Sequence, residues 1–253
     1  MEICEYNKCT GCAACVNICP KHCITMQKDQ WGESHPVVDE SLCIECGLCK
    51  KVCPNNSCVQ FDYPSHCYAS WITDTEKRKI CASGGMATIM SEYIIKFKKG
   101  VVFGTKYDHD MEPITTYAET VEELEYFKGS KYVQSTIGPD TFRKVKEFLK
   151  KGRYVLYVGT PCQIAGLKGY LQKDYDKLIT VDLICHGVCP SDYLKSELEH
   201  LCQKHRINKK DIVDVRFRGN DDNNYRLSIW DRLKKRKTNN FALTIWKFIA
   251  GGE

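Results

Sequence analysis

Eight of the 17 cysteines in this 253-residue chain fall into two identical runs. Cys9, Cys12, Cys15 and Cys19, followed by Pro20, read C-x2-C-x2-C-x3-C-P, and Cys43, Cys46, Cys49 and Cys53, followed by Pro54, repeat the pattern 34 residues later. Three sulfurs spaced three residues apart in a tight loop reach three corners of one iron-sulfur cube. The fourth stands a helical turn further on, faces elsewhere, and is expected to close the other cube. The spacing therefore predicts one 4Fe-4S cluster on Cys9, Cys12, Cys15 and Cys53, and a second on Cys43, Cys46, Cys49 and Cys19. Gly11 and Gly47 relieve crowding where backbone N–H groups approach the sulfides, and Pro20 and Pro54 turn the chain away after each run. Zinc, which also uses C-x2-C motifs, takes four ligands in two pairs and does not account for two matched quartets.

The remaining composition bounds what surrounds this chemistry. With 43% apolar and 11% aromatic residues the chain builds packed cores, which excludes global disorder. No run approaches the 18 or so apolar residues of a membrane span, and the first residues carry neither the basic nor the apolar segment of a leader. The expected location is cytoplasmic, where so many thiols serve metal or redox chemistry rather than a disulfide framework. Charge is uneven: residues 1–66 hold 5 basic and 8 acidic side chains, net −3, whereas the rest carries +8. That split suggests an acidic domain over 1–66, a basic body over 67–230, and an unassigned, truncated tail over 231–253. The tract Lys234, Lys235, Arg236 and Lys237 invites a nucleic-acid reading, but no recognition motif accompanies it, and a solvated face or an anionic-cofactor site is expected instead.

Over nearly its whole length the acidic module resembles the bacterial 2×(4Fe-4S) ferredoxins. Between the quartets, residues 24–26 and 35–39 read as two short strands, as that resemblance has it. Cys4, Cys23, Cys58 and Cys67 lie outside the quartets and are expected to be small buried hydrophobes. Such a module carries single electrons without touching a substrate, so the body must supply whatever chemistry they serve.

The body alternates helical and strand periods. Residues 86–97 and 142–149 are amphipathic helices ended by Gly100 and Gly152, and 193–201 is a third. Residues 101–104, 154–158, 178–184 and 212–217 read as strands of a mainly parallel sheet covered by helices, a mixed α/β domain after an α+β ferredoxin-like one. Function in such folds lies in the turns at strand ends. Gly84 and Gly85 open a helix whose free N–H groups suit phosphate, although a plain tight turn also uses such a pair. Cys162 sits at the start of a helix after a strand, where the positive helix end favours a thiolate. Cys185, His186 and Cys189 follow the third strand; Cys185 is either a ligand or a packed, inert thiol.

Four stretches in order, CASGGMAT (81–88), KGSKYVQS (128–135), GTPCQIAGL (159–167) and DLICHGVCPS (182–191), resemble the coenzyme F420 hydrogenase/dehydrogenase beta-subunit family. The resemblance implies an iron-sulfur flavoprotein oxidoreductase relaying electrons between clusters, FAD and a deazaflavin or other acceptor, with a redox partner protein or small redox coenzyme. It makes Ser83, Gly84 and Gly85 a flavin phosphate turn and sets Lys131, Tyr132, Gln134 and Ser135 along the flavin, where a cation stabilises the anionic reduced ring. It makes Cys162 and Cys185 ligands of a third 4Fe-4S cluster. Relatives continue into a C-x2-C pair, whereas only Cys202 follows Cys189 here. A different class of function also fits: a non-catalytic electron-carrier subunit that docks the ferredoxin module to a partner oxidoreductase.

Overall fold

The computed structural model describes residues 1–57, 63–217, 227–233 and 236–239. Cys58, Lys234, Lys235 and most of the tail expected over 231–253 lie outside the described residues.

The first 57 residues form the iron-sulfur module. Its hairpin pairs β1 (Ile24–Lys28) with β2 (Ser34–Val38) antiparallel, in the register Ile24 to Val38. Two short helices, α1 (Ala14–Ile18) and α2 (Leu48–Lys51), each follow a cysteine loop. Each is preceded by a residue in the left-handed region, Ala13 at φ 56° and Gly47 at φ 70°. Gly11, at φ 67°, sits in the left-handed region that favours glycine, close to the end of the Gln134 side chain.

The body places β3 (Val101–Tyr107), β4 (Pro113–Ala118), β5 (Thr136–Ile137), β6 (Val155–Gly159) and β7 (Leu178–Asp182) in one sheet of order β5-β4-β3-β6-β7. The sheet is mixed but mainly parallel, as expected, with three parallel pairings, β4–β5 among them, and one antiparallel. β3, β6 and β7 run parallel, but β4 returns antiparallel to β3 across a short turn, a hairpin the periodicity did not separate from its neighbours. Alternation along the strands assigns the two faces. Val101, Phe103, Val155 and Tyr157, all fully buried, point toward α5 (Thr141–Lys150) and α6 (Pro161–Leu171). Val102 and Leu156 point the other way, onto Ile94 and Ile95 of α4 (Met86–Lys98), which follows the one-turn α3 (Thr75–Lys79).

The fourth expected strand lies elsewhere. β8 (Ile212–Arg216) joins β9 (Leu227–Asp231) and β10 (Arg236–Asn239) in a separate antiparallel sheet. There it packs on α7 (Ser191–His205), whose Leu194, Leu198 and Leu201 recur at helical spacing and are fully buried. At roughly 1.5–3 kcal/mol per buried leucine, that stripe suffices to hold α7 down.

The iron-sulfur module does not hang from the body. One continuous core runs from Ile3, Val16 and Val52 through Phe142, Leu167 and Tyr170. Asn17, fully buried, donates to the Gly138 carbonyl and accepts from Phe142 N–H, and Arg143 donates to the carbonyls of Asn17 and Cys19.

Candidate functional site

Two hollows in the module bring the eight quartet cysteines together. The first, of about 320 Å³, is lined by Cys9, Cys12, Cys15 and Cys53. The second, of about 330 Å³, is lined by Cys19, Cys43, Cys46 and Cys49. Each thus takes three thiols from one run and the fourth from the other, the exchange expected from the spacing. α1 and α2 bring this about, since each carries its run's fourth cysteine one turn past the loop and across to the opposite hollow.

The donor set decides what fits. Around one zinc ion, sulfurs at about 2.3 Å crowd to within roughly 4 Å of one another. Among the described residues, three ligating atoms come within 4.8 Å of one another only at Asp29, Glu33 and His35 on the β1–β2 turn, and no thiol is among them. No three quartet thiols meet that limit, so they line a hollow rather than converge on one point, which suits a cube better than a single ion. Burial raises the thiol pKa of Cys12 to about 11 and that of Cys15 further, so in this apolar setting cationic iron is what would hold them as thiolates.

Each hollow also has a fifth thiol, and sequence reasoning missed both. Cys4 lines the first, its pKa pushed up to about 12 by burial and by Cys53 and Cys9. Cys23 lines the second with its sulfur 3.4 Å from that of Cys19, and a hydrogen bond with Cys19 raises it to about 11. Cys23 is buried as expected, Cys4 is half-buried, and Cys67 is exposed, because residues 63–71 run over the surface. A cysteine four residues beyond Cys19 was the one signal available for Cys23.

A third hollow, of about 360 Å³, lies at the seam with the body. It is lined by Gly11, Met26, Lys28, Gln134, Ser135 and Ser191 among others. Gly11 and Met26 also line the first cysteine hollow, so the two share a wall. Gln134 donates from Nε2 to the Thr10 carbonyl at 3.3 Å. Ser135 accepts from Gln163 Nε2 at 2.8 Å, while Gln163 Oε1 accepts from Thr160 N–H and closes a capping box on α6. Lys28 is neutralised by Asp192 at 2.6 Å and Glu112 at 3.4 Å.

The other expected flavin residues lie apart from this hollow. Tyr132 packs edge-on to Phe217 at 5.5 Å, in the core of the second sheet. The Lys131 ammonium reaches the Lys128 carbonyl at 3.2 Å and stands 5.4 Å from the Tyr107 ring, and desolvation lowers its pKa to about 8. Gly84 has a packing reason for being glycine: a β-carbon there would lie 2.6 Å from the Ser70 carbonyl, whose segment bonds to it through Ile72 N–H. Gly85 at φ 79° and Ser83 at φ 51° complete the turn into α4.

Cys162 opens α6, and Gly166, one turn later on the same face, abuts Cys12. Cys185 lies three residues past β7, the neighbour of β6, so both turns share one sheet edge. Cys185 is exposed, which removes the reading of a packed, inert thiol.

Residues 8–57 match the 4Fe-4S dicluster domain, and residues 152–245 match the C terminus of the coenzyme F420 hydrogenase/dehydrogenase beta subunit. A 4Fe-4S dicluster domain thus stands ahead of a segment matching the C-terminal part of the coenzyme F420 hydrogenase/dehydrogenase beta subunit. The chain is 30% identical over 178 residues, 66% of its length, to a coenzyme F420-dependent sulfite reductase of Methanocaldococcus jannaschii, of which it spans 26%. The module is 35% identical over 60 residues to a 7Fe ferredoxin of Hydrogenibacillus schlegelii, covering 24% of this chain and 70% of that protein. Among solved structures, a chain of the F420-reducing NiFe hydrogenase complex from Methanosarcina barkeri superposes with a TM-score of 0.48 at 19% identity, covering 70% of this chain and 62% of the other. Among the described residues no helix is long and apolar enough to cross a membrane.

Proposed function

We propose that this chain is an iron-sulfur flavoprotein oxidoreductase module. In it Cys9, Cys12, Cys15 and Cys53 hold one 4Fe-4S cluster and Cys43, Cys46, Cys49 and Cys19 the other. The observation that carries the reading is the exchange of the fourth cysteine between two hollows of nearly equal size. Bound there, the clusters supply one-electron exchange, and FAD in the body supplies conversion between one- and two-electron steps toward a deazaflavin or other acceptor. Gln134 and Ser135 would meet the flavin in the third hollow, beside the wall formed by Gly11 and Met26. Ser83, Gly84 and Gly85 would serve its phosphates, and Lys131 and Tyr132 the remainder of the cofactor. Cys162 and Cys185, on one sheet edge, are the ligands this chain could offer a third cluster.

One observation favours a flavin-free electron-carrier subunit. The turn at Gly84 is filled by the Ser70 and Trp71 backbone. Iron, sulfide and flavin measured together on anaerobically purified protein separate the two readings. About eight irons with one flavin support the flavoprotein, and about twelve would add the third cluster. About eight without flavin, and no acceptor reduction by the chain alone, leave the carrier.

A further inference from the structure

The two cysteine hollows are unequal in their surroundings. Resting on the iron-sulfur reading above, we infer that the quartet Cys19, Cys43, Cys46 and Cys49 is the port for an external one-electron carrier, and that Cys9, Cys12, Cys15 and Cys53 form the inner site facing the body.

The port opens to solvent. Cys46 is exposed and Cys43 half-buried, with Cys19 and Cys49 buried, whereas the inner quartet has no exposed thiol: Cys9 is half-buried and Cys12, Cys15 and Cys53 are buried. Ile44, 55% exposed, and Met1, 42% exposed, line the hollow, and Leu42, 55% exposed, precedes Cys43 in the chain. Both hollows are lined by module residues alone, but only the inner one shares lining residues, Gly11 and Met26, with the third hollow at the seam. Exposed Lys21 lines the port, and exposed Lys50 and Lys51 directly follow its ligand Cys49 in the chain.

The inner site turns the other way. Cys12 is pressed against Gly166 of α6, and the carbonyl of Val52, next to Cys53, lies over Gly169 one turn further on. Gly11 and Met26 separate the inner hollow from the third one, and Gln134 ties the Thr10 loop to the body. A single electron crosses the outer rim with no bond made or broken: the external carrier is oxidised by one electron and the iron held by the outer quartet is reduced by one. Electron exchange falls steeply with distance. The inner quartet, which exposes no thiol, is therefore further from the carrier than Cys46, while its seam with the body favours it for hand-over.

The order is read by timed alkylation of the iron-loaded full chain. Graded ferricyanide releases cluster thiols, iodoacetamide traps them, and peptide mass spectrometry locates the adducts, with exposed Cys67 as the internal clock. Cys43 and Cys46 are expected to be labelled at least about fivefold sooner than Cys12, Cys15 and Cys53. Equal or reversed labelling overturns the order. In a second measurement, the double substitution Lys50→Glu and Lys51→Glu should speed reduction by the methyl viologen radical cation about threefold at low salt, an effect that fades as salt is added. Lys204→Glu on α7 should leave the rate unchanged. Equal effects of the rim and α7 changes would also overturn the proposal. A chain that takes up no iron would instead defeat the iron-sulfur reading itself.

Discussion

Gly166 of α6 and Cys12 of the first cysteine loop meet where the iron-sulfur module joins the body. A β-carbon on Gly166 would lie 2.9 Å from the Cys12 sulfur and 3.0 Å from its Cβ. Cys12 cannot yield without leaving its hollow. Gly166→Val should therefore cost about 1–3 kcal/mol, lower Tm by several degrees, and reduce iron per chain. Thermal unfolding and iron analysis of the variant check this; an unchanged iron content would show that the seam does not fix the loop.

Asn17 is the polar pin of the same seam. It is 1% exposed, and its amide serves Ala13, Gly138 and Phe142 at once. Asn17→Ala leaves the first-turn N–H of α5 without its acceptor, while the Ala13 and Gly138 carbonyls keep one backbone donor each, a loss of about 1–3 kcal/mol. Denaturant unfolding should show a lower midpoint with an unchanged slope.

Lys131 gives the fold a pH dependence of definite sign. Desolvation lowers its pKa to about 8 from 10.5, so between those values the unfolded chain binds more protons and stability rises with pH. Lys131→Met should remove that part of the rise, on the order of 2 kcal/mol, and stabilise the protein below pH 8. Stability curves for both proteins from pH 7 to about 10.5 test it; parallel curves would mean the ammonium is solvated.

The quartets and their exchange were legible in the sequence because cluster geometry dictates cysteine spacing directly. So were α4, α5, α7 and most strands, whose apolar periods are long. β4 was hidden because Ile114, Thr115 and Thr116 give a weak alternation, and it adds the one antiparallel pairing to an otherwise parallel sheet. The strand starting at Ile212 was found but placed in the wrong sheet, since periodicity fixes a strand's faces and not its neighbours. The roles of Cys4, Cys23 and Gln163 arise from contacts across the fold. Spacing announces the first of these no better than it announces exposed Cys67.

Whether eight thiols grip two iron-sulfur cubes in exchanged quartets can be weighed on the intact molecule, by native mass spectrometry of the anaerobically reconstituted full chain. Two successive mass increments are expected, each of four irons and four sulfides, with Cys53→Ala and Cys19→Ala each weakening one of them. A bare chain, or one carrying a single zinc ion per quartet, would refute the paired cubes.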